Sequence, residues 1–127
     1  EQGELEKAGE LLENALHEQP TDLYAAFYLA NVLEKTGNLD RAERLLREVI
    51  DRMPEFPRAY FDLGRVLAQK GEKIEARFYL GKFNLYKGKL KLAEENFKEV
   101  AAAATARTAV RQESEALLEL IERLKKG

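Results

Sequence analysis

The chain has 127 residues, 45% apolar and 35% charged, with 21 basic side chains against 23 acidic ones for a formal charge of −2. That size and composition fit one packed domain rather than a disordered chain, and the near-balance of charge lacks the basic excess of a dedicated nucleic-acid binder. With no cysteine, disulfides, thiolate metal sites and a cysteine nucleophile are excluded, and no run approaches the roughly 18 apolar residues of a membrane span.

Taken in chain order, the hydrophobic spacing predicts seven helices. The first, 4–18, carries Leu5, Leu12 and Leu16 and stops ahead of Pro20, with His17 in its last turn. Next come 22–36 and 39–53, the latter with Leu39, Ala42, Leu45, Leu46, Val49 and Ile50 on the three-and-four step of an amphipathic helix. Pro20 and Pro54 cannot continue a helix and push the residue before them towards extended backbone, so each ends one helix and opens the next. Helices 57–70 and 73–87 follow, then 89–103, whose alanine tract 101–104 is either its end or a loose joint. The last helix, about 107–126, lines Val110, Leu117, Leu118, Ile121 and Leu124 along one stripe. Its other face is glutamate, arginine and lysine, as suits the solvent-facing cap of a stacked array.

One interval runs through these elements. Gly3, Gly37 and Gly71 stand 34 residues apart, as do Ala8, Ala42 and Ala76, and Leu12, Leu46 and Leu80. Pro20 and Pro54, Leu29 and Leu63, and Ala30 and Gly64 keep the same step. So many columns on one period signal repeated helical hairpins. Gly37 and Gly71 fall where a helix end needs positive φ, and the small residues fall where two helix axes cross.

These residues resemble the tetratricopeptide repeat. Its pattern reads as Leu29, Ala30, Gly37, Ala42, Leu46, Val49 and Pro54, and again as Leu63, Gly64, Gly71, Ala76, Leu80 and Phe83; Ala26 and Tyr60 stand where the family usually has tryptophan. The resemblance implies an all-α, right-handed α-solenoid whose first helices line a concave groove. The expected organisation is repeats over 1–106 and a capping helix over 107–127. The units are an incomplete one at 1–20, then 22–54 and 57–87, and a half-step unit at 74–104. The last arises because Leu80, Gly81, Gly88, Ala93 and Phe97 repeat the pattern after 17 residues. The first helix is then the second member of a hairpin without its first, so Leu5, Leu12 and Leu16 are expected to be partly exposed. This points to a piece of a longer protein or to self-association through that helix.

Chemistry finds little purchase. His17 is the sole histidine and Ser114 the sole serine, on different helices, so neither a histidine metal site nor a hydrolase triad is expected. Glu94–Glu95 and Glu113–Glu115 read as solvated pairs beside lysines. Lys82, Lys87, Lys89 and Lys91 interleave with Phe83 and Tyr86 but are offset by neighbouring glutamates. The expectation is a non-enzymatic module with no catalytic residue, metal or cofactor, taking a protein or peptide partner, with no nucleic acid and no membrane insertion.

Projecting the family's groove columns gives Tyr24, Phe27 and Asn31 on one helix, Arg58, Phe61 and Arg65 on the next, and Phe78 and Lys82 on 73–87. Phe27, Phe61 and Phe78 form an expected aromatic ladder, with Asn31, Arg65 and Lys82 a polar-to-basic one beside it. Together they suit a peptide with apolar anchors and a carboxylate. Only Asn31 and Arg65 match the clamp of the chaperone-binding relatives.

A narrower resemblance concerns the segment from Ala76 through Ala93, with its half-period step, and the charged terminal helix that follows, about 50 residues at the C-terminal end. It is similar to the C-terminal repeat appendage of bacterial envelope zinc metallopeptidases, and implies a substrate- or partner-docking role in the cell envelope. Without that likeness the expectation is a cytoplasmic protein. That family's H-E-x-x-H zinc helix has no counterpart in these residues.

Overall fold

The computed structural model describes residues 1–127. It consists of seven α-helices and no strand: α1 Gln2–Glu18, α2 Leu23–Lys35, α3 Leu39–Arg52, α4 Pro57–Gln69, α5 Lys73–Tyr86, α6 Leu90–Ala102 and α7 Thr108–Lys126. Every predicted helix is present with ends shifted by at most two residues. The alanine tract straddles the end of α6, which stops at Ala102, with Ala103 already extended.

The turns follow from local chemistry. Gly37, Gly71 and Gly88 have φ of 88°, 84° and 76°. In each case the amide after the glycine reaches back into the helix: Asn38 to Leu33 at 2.8 Å, Glu72 to Leu67 at 2.9 Å and Lys89 to Asn84 at 2.9 Å. This is the left-handed cap that satisfies carbonyls a helix end would otherwise orphan. Asp22 caps α2 by accepting from the Ala25 amide at 3.0 Å, and Pro57 opens α4 at a position that needs no N–H donor.

Small residues set the crossings. Ala30, Ala42, Ala59 and Ala93 are fully buried. A Cβ on Gly64 would lie 3.2 Å from the Ala76 carbonyl oxygen, so α4 and α5 cross almost backbone to backbone. Leu29, Leu46, Leu63, Val49, Val66 and Leu67 fill the space between α2, α3 and α4. A second core of Phe78, Ala93, Phe97, Val100 and Ile121 joins α5, α6 and α7, and Tyr79 packs against both. α1 buries none of its residues fully. Leu12 and Leu16 pack half-buried on the first core, and Leu11 is 66% exposed.

Consecutive helices pack in order, so the odd helices form one layer and the even helices the other. Beyond consecutive pairs, Cα atoms come within 8 Å only between α2 and α4 and between α5 and α7. The array therefore closes on the even side in its first half and on the odd side in its second. α3 and α5 stand apart, bridged by Arg47, which donates to Glu75 at 2.9 Å and to the Tyr79 hydroxyl at 3.0 Å. α4 and α6 also stand apart, and between them α5 is left open.

Candidate partner-binding face

Helix periodicity decides where the expected groove residues go. Phe27 and Phe78 are 5% and 2% exposed and belong to the two cores. Phe27 turns towards the α3–α4 connection, its ring 4.9 Å from that of Phe56. Phe78 turns towards α6, 6.0 Å from Phe97. The expected aromatic ladder is thereby corrected to one surface member, Phe61, half-buried with its ring 5.0 Å from Phe83.

The polar row divides as well. Arg65 and Lys82 leave opposite edges of the α4–α5 hairpin. Arg65 lies beside Phe61, its guanidinium 5.6 Å from that ring, and faces α2. Lys82 lies over Tyr60 and Phe78 and pairs with Glu113 of α7 at 2.7 Å. The reason is that the array closes on the even side before α5 and on the odd side after it, so a row continued from α4 to α5 changes face. Asn31, Arg65 and Lys82 therefore do not form one ladder.

On the even face, the α2–α4 seam holds a compact polar cluster. Asp62 is 1% exposed and accepts from Asn31 Nδ2 at 3.1 Å, with Arg65 Nη2 at 3.3 Å and Arg58 Nε at 3.5 Å. Asn31 Nδ2 also donates to the Phe27 carbonyl at 3.0 Å. Arg65 holds Glu34 through Nε and Nη2 at 2.6 and 2.7 Å, the two-pronged geometry of a strong guanidinium–carboxylate pair. Burial alone would raise the Glu34 carboxyl, but hydrogen bonds from Arg65 and Gln69 outweigh it and hold the group below the ordinary glutamate range. The Glu34 hydrogen bond in turn raises Arg65. Asn31 and Arg65 are thus seam residues first, already satisfied within the fold.

The accessible members of the predicted set are Tyr24, 60% exposed, and Arg58, whose side chain is 62% exposed. Tyr24 sits against Phe56 at the α3–α4 connection, ring centroids 6.1 Å apart. Beyond them, α4 and α5 bound a cleft of about 190 Å³, with Phe61 and Leu80 as walls, the buried Gly64 and Ala76 as floor, and Arg65, Arg77 and the exposed Ala68 at its rim. Sequence reasoning missed Asp62, Ala68 and Arg77. The first had a signal, since Asp62 stands four residues after Arg58 and three before Arg65; the cleft had none, because it exists only where α4 and α6 diverge.

No group of three or more His, Cys, Asp and Glu residues is placed to hold a metal ion, and no helix is long and apolar enough to cross a membrane.

Residues 1–60 match one family model described as tetratricopeptide repeat, and residues 57–84 match a second with the same description. No match was found among the curated proteins. Among solved structures, the chain is similar to the type III secretion translocator chaperone SycD of Yersinia enterocolitica. The TM-score is 0.58 and the identity 21%, covering 99% of this chain and 77% of that one. At that identity the likeness is one of fold.

Proposed function

As a chain that belongs to the tetratricopeptide-repeat family over residues 1–84, the protein is a protein–protein interaction module, and we propose that it holds a polypeptide segment against the even face. In this reading Tyr24, Arg58 and Phe61 touch the partner, while Asn31 and Arg65 hold α2 and α4 in the spacing that presents them. α5 serves both as the second helix of unit 57–87 and as the first of unit 74–104, which is why the face ends there.

The observation that carries the reading is the gathering on one face of an exposed tyrosine, an exposed arginine and a half-open phenylalanine. These are the residue types that anchor interfaces. SycD is described as a translocator chaperone, and shielding a stretch of another polypeptide is work of the same kind. The experiment is photo-cross-linking with p-benzoylphenylalanine placed at Phe61 or at Tyr86 on the opposite edge. Partner cross-links at position 61 and none at 86 support this face, and the reverse pattern rejects it.

Self-association through α1 is the second reading, favoured by Leu11 at 66% exposure and by the absence of any fully buried residue in that helix. α1 carries Glu4, Glu6, Glu10, Glu13 and Glu18 against Lys7. Two copies meeting there repel, so dimerisation must strengthen with salt. Sedimentation velocity over a concentration and salt series decides it, and a strict monomer throughout rejects it. Docking for an envelope zinc metallopeptidase is a narrower form of the first reading. It rests on the likeness of the roughly 50 C-terminal residues from Ala76 onward, and an H-E-x-x-H helix in the same gene product decides it.

A further inference from the structure

We infer that the cleft between α4 and α5 is an anchor pocket that takes one large apolar side chain from a partner segment carrying a carboxylate next to that side chain. This rests on the even face being the binding face, and adds which part of the face holds the partner and what chemistry it selects.

The two gaps in the array differ. On the odd side, the space between α3 and α5 is filled: Tyr79 stacks on Tyr60 with centroids 6.4 Å apart, and Arg47 closes over Tyr79. On the even side, no Cα of α4 comes within 8 Å of α6, and along that gap α5 reaches α6 through two polar links. These are Asn84 to Asn96 at 2.8 Å and Arg77 to Glu99 at 3.3 Å. Gly64 lets the α5 backbone rise against α4, and with Ala68 and Ala76 it leaves no side chain over the crossing. The result is a depression of about 190 Å³ between Phe61 and Leu80. A leucine, methionine or phenylalanine seated there gains the desolvated contact that makes an interface anchor.

Charge selects the neighbour of that anchor. The rim carries Arg65 and Arg77, with Arg58 about two turns before Arg65 on α4. Arg65 is committed to Glu34 and Asp62. Arg77 pairs only with Glu99, and the two side chains are 49% and 52% exposed. Such an exposed pair contributes little and exchanges readily, so a partner carboxylate displaces Glu99 from Arg77 at small cost. A lysine or arginine beside the anchor meets Arg65 and Arg77 instead and is disfavoured.

The test is an amide chemical-shift titration of the full chain with three dodecapeptides of Gly, Ser and Asn, carrying a central Leu–Asp, Leu–Lys or Ser–Asp pair. Leu–Asp is expected to shift Phe61, Gly64, Ala68 and Leu80, Leu–Lys to bind at least about fivefold more weakly, and Ser–Asp to bind not at all. Ala68→Leu, on an exposed position, fills the pocket from within and abolishes the shifts with unchanged thermal stability, and Arg77→Glu reverses the preference between the two leucine peptides. Shifts confined to Tyr24 and Arg58 retain the even face and overturn the pocket. Preference for Leu–Lys in the parent overturns the carboxylate. No shift with any peptide at millimolar concentration overturns the pocket and leaves the face reading to the cross-linking result.

Discussion

Gly81 of α5 lies under the ring of Phe97 of α6 so closely that a Cβ on the glycine would sit 2.7 Å from the ring's Cε1 carbon. Phe97 is fully buried in the second core, so its ring cannot swing away without opening a void. Gly81→Ala is therefore expected to cost about 1–3 kcal/mol by overpacking, read from urea unfolding. Pairing it with Phe97→Leu should recover part of the loss, a coupling that two independent sites do not show.

At the α2–α4 seam the buried Asp62 carboxylate is matched by Asn31, Arg65 and Arg58. Asp62→Ala leaves the Asn31 amide and Arg65 short of an acceptor. The expected cost is about 1–3 kcal/mol, with Asn31→Ala destabilising less because Arg65 still satisfies the carboxylate. Equal losses in urea unfolding contradict this assignment. The same cluster makes Arg65→Glu a poor probe of binding, since it sets three carboxyl groups against each other and lowers stability first.

Gly71 has φ of 84° and open space around its Cα, so backbone conformation alone penalises a side chain there. Gly71→Ala should lower stability by about 1 kcal/mol without changing helical content or binding. Thermal unfolding followed by circular dichroism measures it, and an unchanged midpoint contradicts the cap.

Acid should loosen the array at its inter-helix pairs. Glu34 and Glu43 are raised by burial but held lower overall by hydrogen bonds, from Arg65 and Gln69 for the first and from Lys70 and Arg47 for the second. Glu13 is lowered by its hydrogen bond to Arg41. A carboxyl whose folded pKa is depressed contributes stability that is complete above the ordinary glutamate value, about 4.3, and is lost as pH falls through the folded value. The melting temperature is expected to fall as pH drops below about 4. Glu34→Gln should flatten that slope, and an unchanged slope contradicts the role of the pair.

The helices and their order were legible because proline, glycine and small residues act locally. Gly37 and Gly71 announce left-handed caps, and Ala30, Ala42 and Gly64 announce crossings, without knowledge of any distant contact. The site was less legible. Phe27, Phe61 and Phe78 look alike in a repeat alignment, yet only Phe61 reaches the surface, because Phe56 covers Phe27 and α6 covers Phe78. Lys82 falls in one repeat column with Arg65, but that column runs through α5, where the closing side of the array changes. Nothing within one repeat reports that change; it depends on how α7 settles against α5, through pairs such as Lys82 and Glu113.

The most direct measurement of the central claim is the affinity of a cross-linked, identified partner for Phe61→Ala and Arg58→Gln, each first shown to melt at the parent temperature. The even-face account predicts a loss of about 1–3 kcal/mol for each, with Tyr86→Ala on the opposite edge binding like the parent. Full affinity in both even-face variants, or a loss confined to Tyr86→Ala, contradicts it.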